Sequence, residues 1–148
     1  MNTEIRLIEK DSILDILPLL QLINTKTPLD ILKDRVLEMA ALPHYDCIGL
    51  FMDGSLIGIT GLWYSTRHYI GKSVEVDHVV IDPAYRGQSL GKIFLKWVYE
   101  YTSSKGCESI ELNTYTGNVK SHKFYYNENF NIYGFHFLKV MRKDQKFY

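Results

Sequence analysis

The segment Ile81–Lys92 has the residue types and the spacing to bind an anion through main-chain amides. It reads Ile-Asp-Pro-Ala-Tyr-Arg-Gly-Gln-Ser-Leu-Gly-Lys, in which a strand ends at Asp-Pro, a short turn follows and a helix begins. The first N–H groups of a helix have no partner within it and lie at the positive end of its dipole. Gly87 and Gly91 allow close approach of the main chain, and Arg86 and Lys92 add positive charge. We therefore predict a phosphate-binding turn. The alternative is an ordinary connection, because the spacing matches neither a P-loop nor a dinucleotide fingerprint.

Strands and helices alternate along the whole chain around this segment. The hydrophobic periodicity predicts strands over Thr3–Ile8, Cys47–Met52, Leu56–Tyr64, Val74–Ile81 and Ser109–Thr114, and helices from Ser12, from Thr27 to Pro43, over Gly91–Ser104 and over Asn118–Glu128. Asp53-Gly54 predicts a hairpin turn, and one or two closing strands are expected over Ile132–Met141. The order β-α-α-β-β-β-α-β-α-β(-β) predicts an α/β (α+β) chain with a mixed sheet flanked by helices.

Composition and charge restrict the classes of function. The 148 residues fit a single domain, 1–148, and 17 Lys and Arg balance 17 Asp and Glu. Zero net charge argues against nucleic-acid binding through bulk charge and against attachment to a membrane surface. No apolar run reaches the ~20 residues of a membrane span, and the charged start of the chain favours the cytoplasm. The two cysteines, Cys47 and Cys107, have no zinc-site spacing, so no metal is expected.

Three parts of the sequence resemble one enzyme family. Residues 86–91, Arg-Gly-Gln-Ser-Leu-Gly, resemble the Q/R-x-x-G-x-G/A acyl-CoA motif of the GCN5-related N-acetyltransferases (GNAT). Val79–Pro83 resembles the fourth strand of that family, and Asn118–Phe130 resembles its N-x-x-A-x-x-[LF]-Y-x-x-x-G-F block. The element order matches as well, so the resemblance covers essentially the whole chain. It implies the GNAT fold, with a mostly antiparallel mixed sheet, and transfer of an acetyl group from acetyl-CoA to an amine.

The resemblance implies a set of residues that bind acetyl-CoA. It implies that the pyrophosphate is held by the main-chain amides of Gln88, Ser89, Leu90 and Gly91 together with Lys92. It also implies that Arg86 supports this turn, which contains Gly87 as well. The main chain of three residues would pair with the pantetheine arm like an added strand, namely Val79, Val80 and Ile81. Asn118 would approach the pantetheine or its thioester, and Tyr125 would donate a proton to the leaving thiolate.

The chemistry requires an acid and a base. Tyrosine, with a pKa near 10, stays protonated at pH 7, and Tyr125 shares a helix face with Asn118, Ser121 and His122. Presenting a lysine-like amine in its neutral form at pH 7 costs about 4–5 kcal/mol, so a base helps.

Three residues of one strand are candidates for the base: Glu75, Asp77 and His78. On a regular strand Glu75 and Asp77 share one face with Val79 and Ile81, while His78 lies on the other with Val76 and Val80. A bulge, which the family often has in this strand, would change that pattern.

Residues in a predicted loop, Ser65–Lys72, are candidates for the acceptor site: Arg67, His68 and Tyr69. Solvated loop residues are the alternative. The sequences Ser121–Tyr125 and Phe135–Lys139 look like those of enzymes that act on small amines, such as the aminoalkylphosphonate acetyltransferases.

Two positions depart from the family pattern. Ser89 replaces a glycine, where a positive φ would be strained, although its side chain could instead cap the helix. Asn129 replaces a glycine after the last helix, which is a mild change because Asn tolerates the left-handed conformation.

The function that the resemblance favours is N-acetylation of a small-molecule amine. The alternatives are an acyl-CoA-binding regulatory module without catalysis and an acetyltransferase that acts on proteins. Exposed closing strands would favour a homodimer.

Overall fold

The computed structural model describes all residues, 1–148, and the chain forms two compact units, residues 1–111 and 112–148. The first unit contains β1 (Thr3–Leu7), a 3₁₀ helix (Lys10–Ile16), α1 (Leu17–Gln21), α2 (Leu29–Ala41), β2 (Tyr45–Met52), β3 (Ser55–Arg67), β4 (Gly71–Ile81), a 3₁₀ turn (Pro83–Tyr85), α3 (Leu90–Ser104) and most of β5 (Ser109–Leu112). The second unit contains α4 (Val119–Asn127). None of the helices is both long and apolar enough to cross a membrane.

One sheet has the strand order β1-β2-β3-β4-β5. The first four strands form antiparallel pairs, and β5 follows β4 through the helical crossover α3, the connection that parallel strands require. The sheet is therefore mixed and mostly antiparallel, with helices around it, and the predicted fold class is confirmed.

The two faces of the sheet are covered by different helices. On one face α1, α2 and the first 3₁₀ helix bury a cluster that includes Ile16, Val36, Cys47, Ile59 and Val80. On the other face α3 lies over the strands and buries its own apolar side, Phe94, Leu95 and Val98. Helices therefore pack on both faces of β4, and its end at Ile81 leads directly into the turn before α3.

Local signals in the sequence predicted several boundaries correctly. Asp53 and Gly54 both have positive φ, 49° and 83°, which is the type I′ geometry expected of a two-residue hairpin turn. The predicted helix end at Ser104 is confirmed, and Gly106, with φ of 82°, follows it. Pro18 lies in the first turn of α1, so it marks a second short helix.

Other boundaries differ from the predictions. The helix expected from Ser12 is a 3₁₀ helix that begins at Lys10, and no side chain caps it. The predicted loop over residues 65–72 is much shorter, because β3 continues to Arg67 and β4 begins at Gly71. Ladder pairing between β3 and β4 overrides the polar composition there.

The predicted closing strands over Ile132–Met141 are absent. This stretch has strand-like composition, but it belongs to no helix or strand of the structure. A strand without a neighbour is not stable by itself, because its main-chain groups gain nothing from extension alone. The composition therefore indicated the strand propensity of this stretch correctly, but the stretch has no neighbouring strand to pair with.

Candidate active site

The turn that follows β4 is held by two polar contacts of its own side chains. Asp82 Oδ1 accepts a hydrogen bond from the amide of Ala84 at 2.9 Å, which caps the short 3₁₀ turn. Arg86 Nε donates to the carbonyl of Ile81 at 3.3 Å. Arg86 thus ties the turn back to the end of β4, an arrangement that fits the supporting role predicted for it.

The main chain of the 86–92 turn is shaped to receive an anion. The amide of Ile93 donates to the carbonyl of Ser89 at 3.2 Å, so the helix amides from Ser89 to Lys92 precede the first intrahelical bond. Gly87 has φ of 81°, and a Cβ added to it would meet nothing within 4 Å, so this side of the turn is open. Unbonded donors around open space fit a phosphate group.

Ser89 adopts a left-handed conformation, with φ of 58° and ψ of 15°. It is the N-cap residue of α3, but its side chain makes no capping hydrogen bond, so the capping alternative is wrong. The strain expected from a non-glycine residue at this position is present instead. The turn therefore has the backbone geometry that the motif requires, and its cost is conformational strain at Ser89.

A β-bulge in β4 changes the faces on which the candidate bases lie. Gly61 pairs with His78 and the next residue, Leu62, pairs with Val76, so Asp77 is the extra residue. Because Trp63 lies opposite Glu75 and alternates with Gly61, Glu75 and His78 share one face of the sheet. The parity of a regular strand, with Glu75 beside Asp77 and opposite His78, therefore does not hold, and the bulge that the resemblance offered as the alternative is present.

His78 is buried, with 7 % of its surface exposed, and burial lowers the pKa of its imidazole. Its ring packs over Gly61, where an added Cβ would lie 2.8 Å from Nε2 and 2.9 Å from the phenol oxygen of Tyr45. Burial raises the pKa of Tyr45, and it raises that of Cys47 on the same face to about 12. His78 is neutral and enclosed by these groups, whereas Asp77 is exposed.

Four side chains form an acidic group on the first unit, which we call the Arg67 cluster: Arg67, Tyr69, Glu75 and Glu111. The guanidinium of Arg67 lies 3.5 Å from Glu75 and 3.3 Å from Glu111. The hydroxyl of Tyr69 donates to Glu111 at 2.5 Å, and this bond raises the pKa of the phenol. Both carboxylates are partly exposed, at 33 % and 28 %.

Sequence reasoning missed Glu111. Of the predicted candidates, Arg67 and Glu75 lie on the neighbouring strands β3 and β4 and Tyr69 lies in the turn between them, whereas Glu111 lies on β5. Its one signal in the sequence is a charged residue between the apolar neighbours Ile110 and Leu112 of a short strand. Of the other predicted acceptor residue, His68, the structure shows only that its ring lies edge-on to Tyr69.

The C-terminal end of β4 extends beyond β5. The amide of Glu108 donates to the carbonyl of Lys72 at 2.7 Å, so β5 begins beside the start of β4. β5 has 4 residues and β4 has 11, so β5 is too short to pair with residues 79–81. On its other side this stretch pairs with Gly58, Ile59 and Thr60 of β3.

The second unit carries the remaining predicted residues on α4. Asn118 Oδ1 accepts from the amide of Ser121 at 3.3 Å and caps the helix. Tyr125 packs edge-on against Phe124 and Phe130, and burial raises the pKa of its phenol. Asn129 has φ of 65°, so the left-handed conformation expected of it is confirmed.

The predicted residues are thus divided between the units. The 86–92 turn, the main chain of residues 79–81 and the three candidate bases belong to the first unit, and Asn118 and Tyr125 belong to the second. Within the first unit the bulge places Glu75 and His78 on one face, and Asp77 is the exposed extra residue between Val76 and His78.

The family model described as "Acetyltransferase (GNAT) family" matches residues 14–130 of the chain. The chain belongs to this acetyltransferase family. The predicted family is confirmed.

Curated relatives and a solved structure agree with this assignment. An aminoalkylphosphonate N-acetyltransferase of Salmonella typhimurium is 29 % identical over 60 % of this chain, and a thialysine N-epsilon-acetyltransferase of Mus musculus is 35 % identical over 49 %. The matches span 58 % and 43 % of those relatives, so the chain aligns with about half of their length. An aminoglycoside N-acetyltransferase, AAC(6')-Iy, crystallised with CoA, has a TM-score of 0.82 at 18 % identity, with 95 % of each chain covered.

Proposed function

We propose that this chain transfers the acetyl group of acetyl-CoA to a primary amine of a small molecule, by direct attack of the amine on the thioester. The observation that carries the proposal is the 86–92 turn. It offers the amides of Ser89, Leu90, Gly91 and Lys92 around open space, in a chain of the acetyltransferase family. Acetyl-CoA supplies the activated acetyl group, and the rest of the chemistry is positioning and proton transfer.

Binding of acetyl-CoA is assigned to the first unit and to Asn118. The 86–92 turn holds the pyrophosphate through its amides, and Lys92 adds a charge-assisted contact. The main chain of Val79–Ile81, which β5 is too short to cover, pairs with the pantetheine arm. Asn118 uses only Oδ1 to cap α4, so its amide N–H groups can donate to a pantetheine carbonyl.

Glu75 is the base that the geometry favours. Its carboxylate is partly exposed and is held by Arg67, so a dissolved amine can reach an oriented oxygen. Asp77 remains an alternative because it is exposed at the bulge. His78 is neutral, but it is too deeply buried to meet an amine directly.

Tyr125 is the proposed acid. Burial raises the pKa of its phenol, so the hydroxyl stays protonated at all physiological pH values and can donate to a departing thiolate. Its ring is fixed by Phe124 and Phe130, which limits the freedom of the hydroxyl. We further propose that residues 1–148 act as a single acetyltransferase domain.

The acceptor is proposed to be a small cationic amine. The two curated relatives carry names of enzymes that acetylate an aminoalkylphosphonate and thialysine, both of which are small amines. In this chain the carboxylates of the Arg67 cluster, Glu75 and Glu111, are partly exposed, and an exposed carboxylate oxygen attracts an ammonium group. We further propose that the active species is a homodimer.

A thiol-release assay tests the proposal. Purified protein, acetyl-CoA and a panel of aminoalkylphosphonates, diamines and amino acids should release CoA only when an amine is present. Peptides with a free N-terminus or a lysine are the second arm, and preference for them would indicate the protein acetyltransferase. Binding of acetyl-CoA by calorimetry without turnover on any amine would indicate the regulatory module instead.

A further inference from the structure

The carboxylate of Glu111 is held by two donors, one on each of its oxygens. Oε1 accepts a hydrogen bond from the hydroxyl of Tyr69 at 2.5 Å, and Oε2 accepts one from Nε of Arg67 at 3.3 Å. A carboxylate that is bonded through both oxygens cannot rotate without breaking one of the bonds. Glu111 is therefore a fixed member of the Arg67 cluster, although its side chain is partly exposed.

The two donors on Glu111 come from another part of the sheet. Arg67 is the last residue of β3, Tyr69 lies in the turn between β3 and β4, and Glu111 lies on β5. The ring of His68 packs edge-on against that of Tyr69, with 5.4 Å between the ring centroids, and limits the rotation of the phenol. Glu111 thus connects β5, across β4, to the end of β3 and the turn that follows it, and all of these residues belong to the first unit.

Arg67 contacts the two carboxylates through different nitrogen atoms. Nε donates to Glu111 at 3.3 Å, and Nη2 donates to Glu75 at 3.5 Å. Because the guanidinium is planar and rigid, a bond that fixes the direction of Nε also fixes the direction of Nη2. The position of Glu111 therefore determines where the guanidinium meets the carboxylate of Glu75.

The exposure of the cluster argues against a role in stability. The side chains of Arg67, Glu75 and Glu111 are all partly exposed. Exposed ion pairs contribute little to the free energy of unfolding, because water competes for the charges. Their geometry matters more for a reaction, since a group that accepts a proton must lie within hydrogen-bond reach of the atom that gives it.

We propose that Glu111 and Tyr69 are positioning residues for acetyl transfer: they fix the guanidinium of Arg67, which holds the carboxylate of Glu75 where it takes a proton from the acceptor amine. This inference rests on the proposed function, in which Glu75 is the base. Glu111 and Tyr69 then affect the rate without contacting the reacting atoms.

The proton transfers balance without a further reactant. Glu75 takes one proton from the ammonium group, so that the neutral nitrogen attacks the acetyl carbon and the C–S bond breaks. Tyr125 donates a proton to the departing thiolate and recovers one from the acetylated nitrogen. The proton on Glu75 goes to solvent. The positioning residues make and break no bond in this sequence, and they change only where Glu75 stands when it begins.

Steady-state kinetics of Glu111→Gln test the proposal. Gln keeps the size of the side chain and an oxygen for Tyr69, but it removes the charge that Arg67 contacts. The kcat should fall by roughly threefold to thirtyfold, while the KM for the amine and for acetyl-CoA changes by less than about twofold, because a displaced base slows the reaction without removing a binding contact. Tyr69→Phe should give a smaller loss of the same kind. The matched control is Glu4→Gln, which breaks an exposed Glu–Arg pair at the same distance, 3.3 Å, on β1 and should leave kcat unchanged.

Arg67→Lys separates geometry from charge. Lysine keeps the positive charge but presents it on a single nitrogen, so it cannot replace Nε and Nη2 at the same time. The kcat should therefore fall as far as in Glu111→Gln, whereas a role of charge alone predicts full activity. The melting temperature of both variants should stay within roughly 4 °C of wild type, as expected for exposed ion pairs.

A double-mutant cycle shows whether Glu111 acts through Glu75. In the Glu75→Gln background, Glu111→Gln should change kcat by less than about twofold, because the group that it positions is already absent. Three results would overturn the proposal. They are an equal loss of kcat in both backgrounds, a raised KM for the amine at unchanged kcat, which would mean that Glu111 binds the amine itself, and full activity in Arg67→Lys.

The titration of the Tyr69 phenol, followed by NMR, tests the contacts without catalysis. The bond to Glu111 raises the pKa of this phenol, so Glu111→Gln should lower it toward its ordinary value. Comparison with Tyr69→Phe identifies the signal among the 11 tyrosines. An unchanged pKa would contradict the link between the two residues.

The two proposals fail in different ways. Absence of turnover by wild type on every amine would overturn the proposed function and the positioning role that rests on it. Turnover by wild type with an unchanged kcat in Glu111→Gln would overturn the positioning role alone.

Discussion

The 86–92 turn and the Arg67 cluster form their proposed contacts in opposite ways. The turn consists of consecutive residues and presents main-chain donors, whose positions are set by the start of α3 and by the bond from Arg86 to Ile81. The cluster gathers side chains from three strands and the turn between two of them, and Glu111 is 44 positions from Arg67. One region depends on backbone conformation, and the other depends on strand register.

This difference has a consequence for substitution. Most side chains of a main-chain site can vary as long as the backbone keeps its conformation, so one short motif is enough to recognise it. A site made of side chains changes with every substitution and every shift in register. We therefore expect the cofactor site to tolerate most side-chain substitutions and to lose affinity only when its backbone conformation or its charge changes. The acceptor site should instead lose activity with the substitution of any one of its side chains.

Tyr125→Phe should give the largest effect, and it tests the proposed acid, which belongs to neither region. Loss of a general acid typically costs 10²–10⁴-fold in rate, so kcat should fall by at least about tenfold while acetyl-CoA affinity changes little. Because burial raises the pKa of the phenol, activity should persist until the pH exceeds its ordinary value of about 10, and the variant should lack this alkaline limb. Tyr126→Phe, on the exposed neighbouring tyrosine, is the control. A Tyr125→Phe kcat within twofold of wild type would exclude the acid role.

Glu75→Gln should impair the proposed acceptor site and leave the cofactor site intact. If Glu75 is the base, kcat at pH 7 should fall by roughly tenfold to a hundredfold, and the loss should shrink as the pH approaches the amine pKa of ~10.4, where the amine is already neutral. Acetyl-CoA affinity should not change. Glu38→Gln on α2 is the matched control. A pH–rate profile parallel to that of wild type would remove Glu75 and favour Asp77.

Gly91→Asp should impair acetyl-CoA binding at the 86–92 turn and leave the Arg67 cluster intact. A carboxylate in the first turn of α3 repels the pyrophosphate, so acetyl-CoA affinity should fall by about tenfold or more, or 1.4 kcal/mol. Calorimetry measures the affinity, and the stabilisation of the protein by acetyl-CoA in a melting experiment should decrease in parallel. Lys96→Glu, further along the same helix on an exposed position, is the control for charge. Equal affinity in the Gly91→Asp variant would contradict the assignment of the turn.

Ser89→Gly should give the smallest effect. The sign of the change in the free energy of unfolding shows whether the backbone of the 86–92 turn is strained. The left-handed conformation costs a non-glycine residue about 1–2 kcal/mol, part of which is returned as the greater chain entropy of glycine in the unfolded state. We expect a net gain of roughly 0.5–1 kcal/mol in the free energy of unfolding, measured by urea denaturation. Ser103→Gly, in the helical part of α3, should instead destabilise the protein. A loss of stability in Ser89→Gly would show that the strain is compensated elsewhere.

Features of the fold that depend on neighbours in the chain could be predicted from the sequence. The positive φ angles at Asp53, Gly54 and Asn129 follow from local turn and cap chemistry, and each was correctly located. The 86–92 turn belongs to the same class. These features need no information about distant residues.

Features that depend on pairing between strands could not be predicted. The face of Glu75 follows from the unpaired Asp77, and the role of Glu111 follows from its distance to Arg67 across the sheet. The strands predicted over 132–141 failed for a related reason, because propensity does not supply a partner. Register and partner choice are properties of the assembled sheet, and a single sequence specifies them only indirectly.

The bulge at Asp77 also determines how this strand can change in length. Deleting any other interior residue of β4 would turn every side chain on one side of the deletion to the opposite face, and core residues would become exposed. Deleting Asp77 would leave Val76 and His78 opposite the same partners, Leu62 and Gly61, on the faces they already occupy. During evolution, position 77 is therefore the one interior position of β4 whose codon can be lost without moving buried side chains to the exposed face.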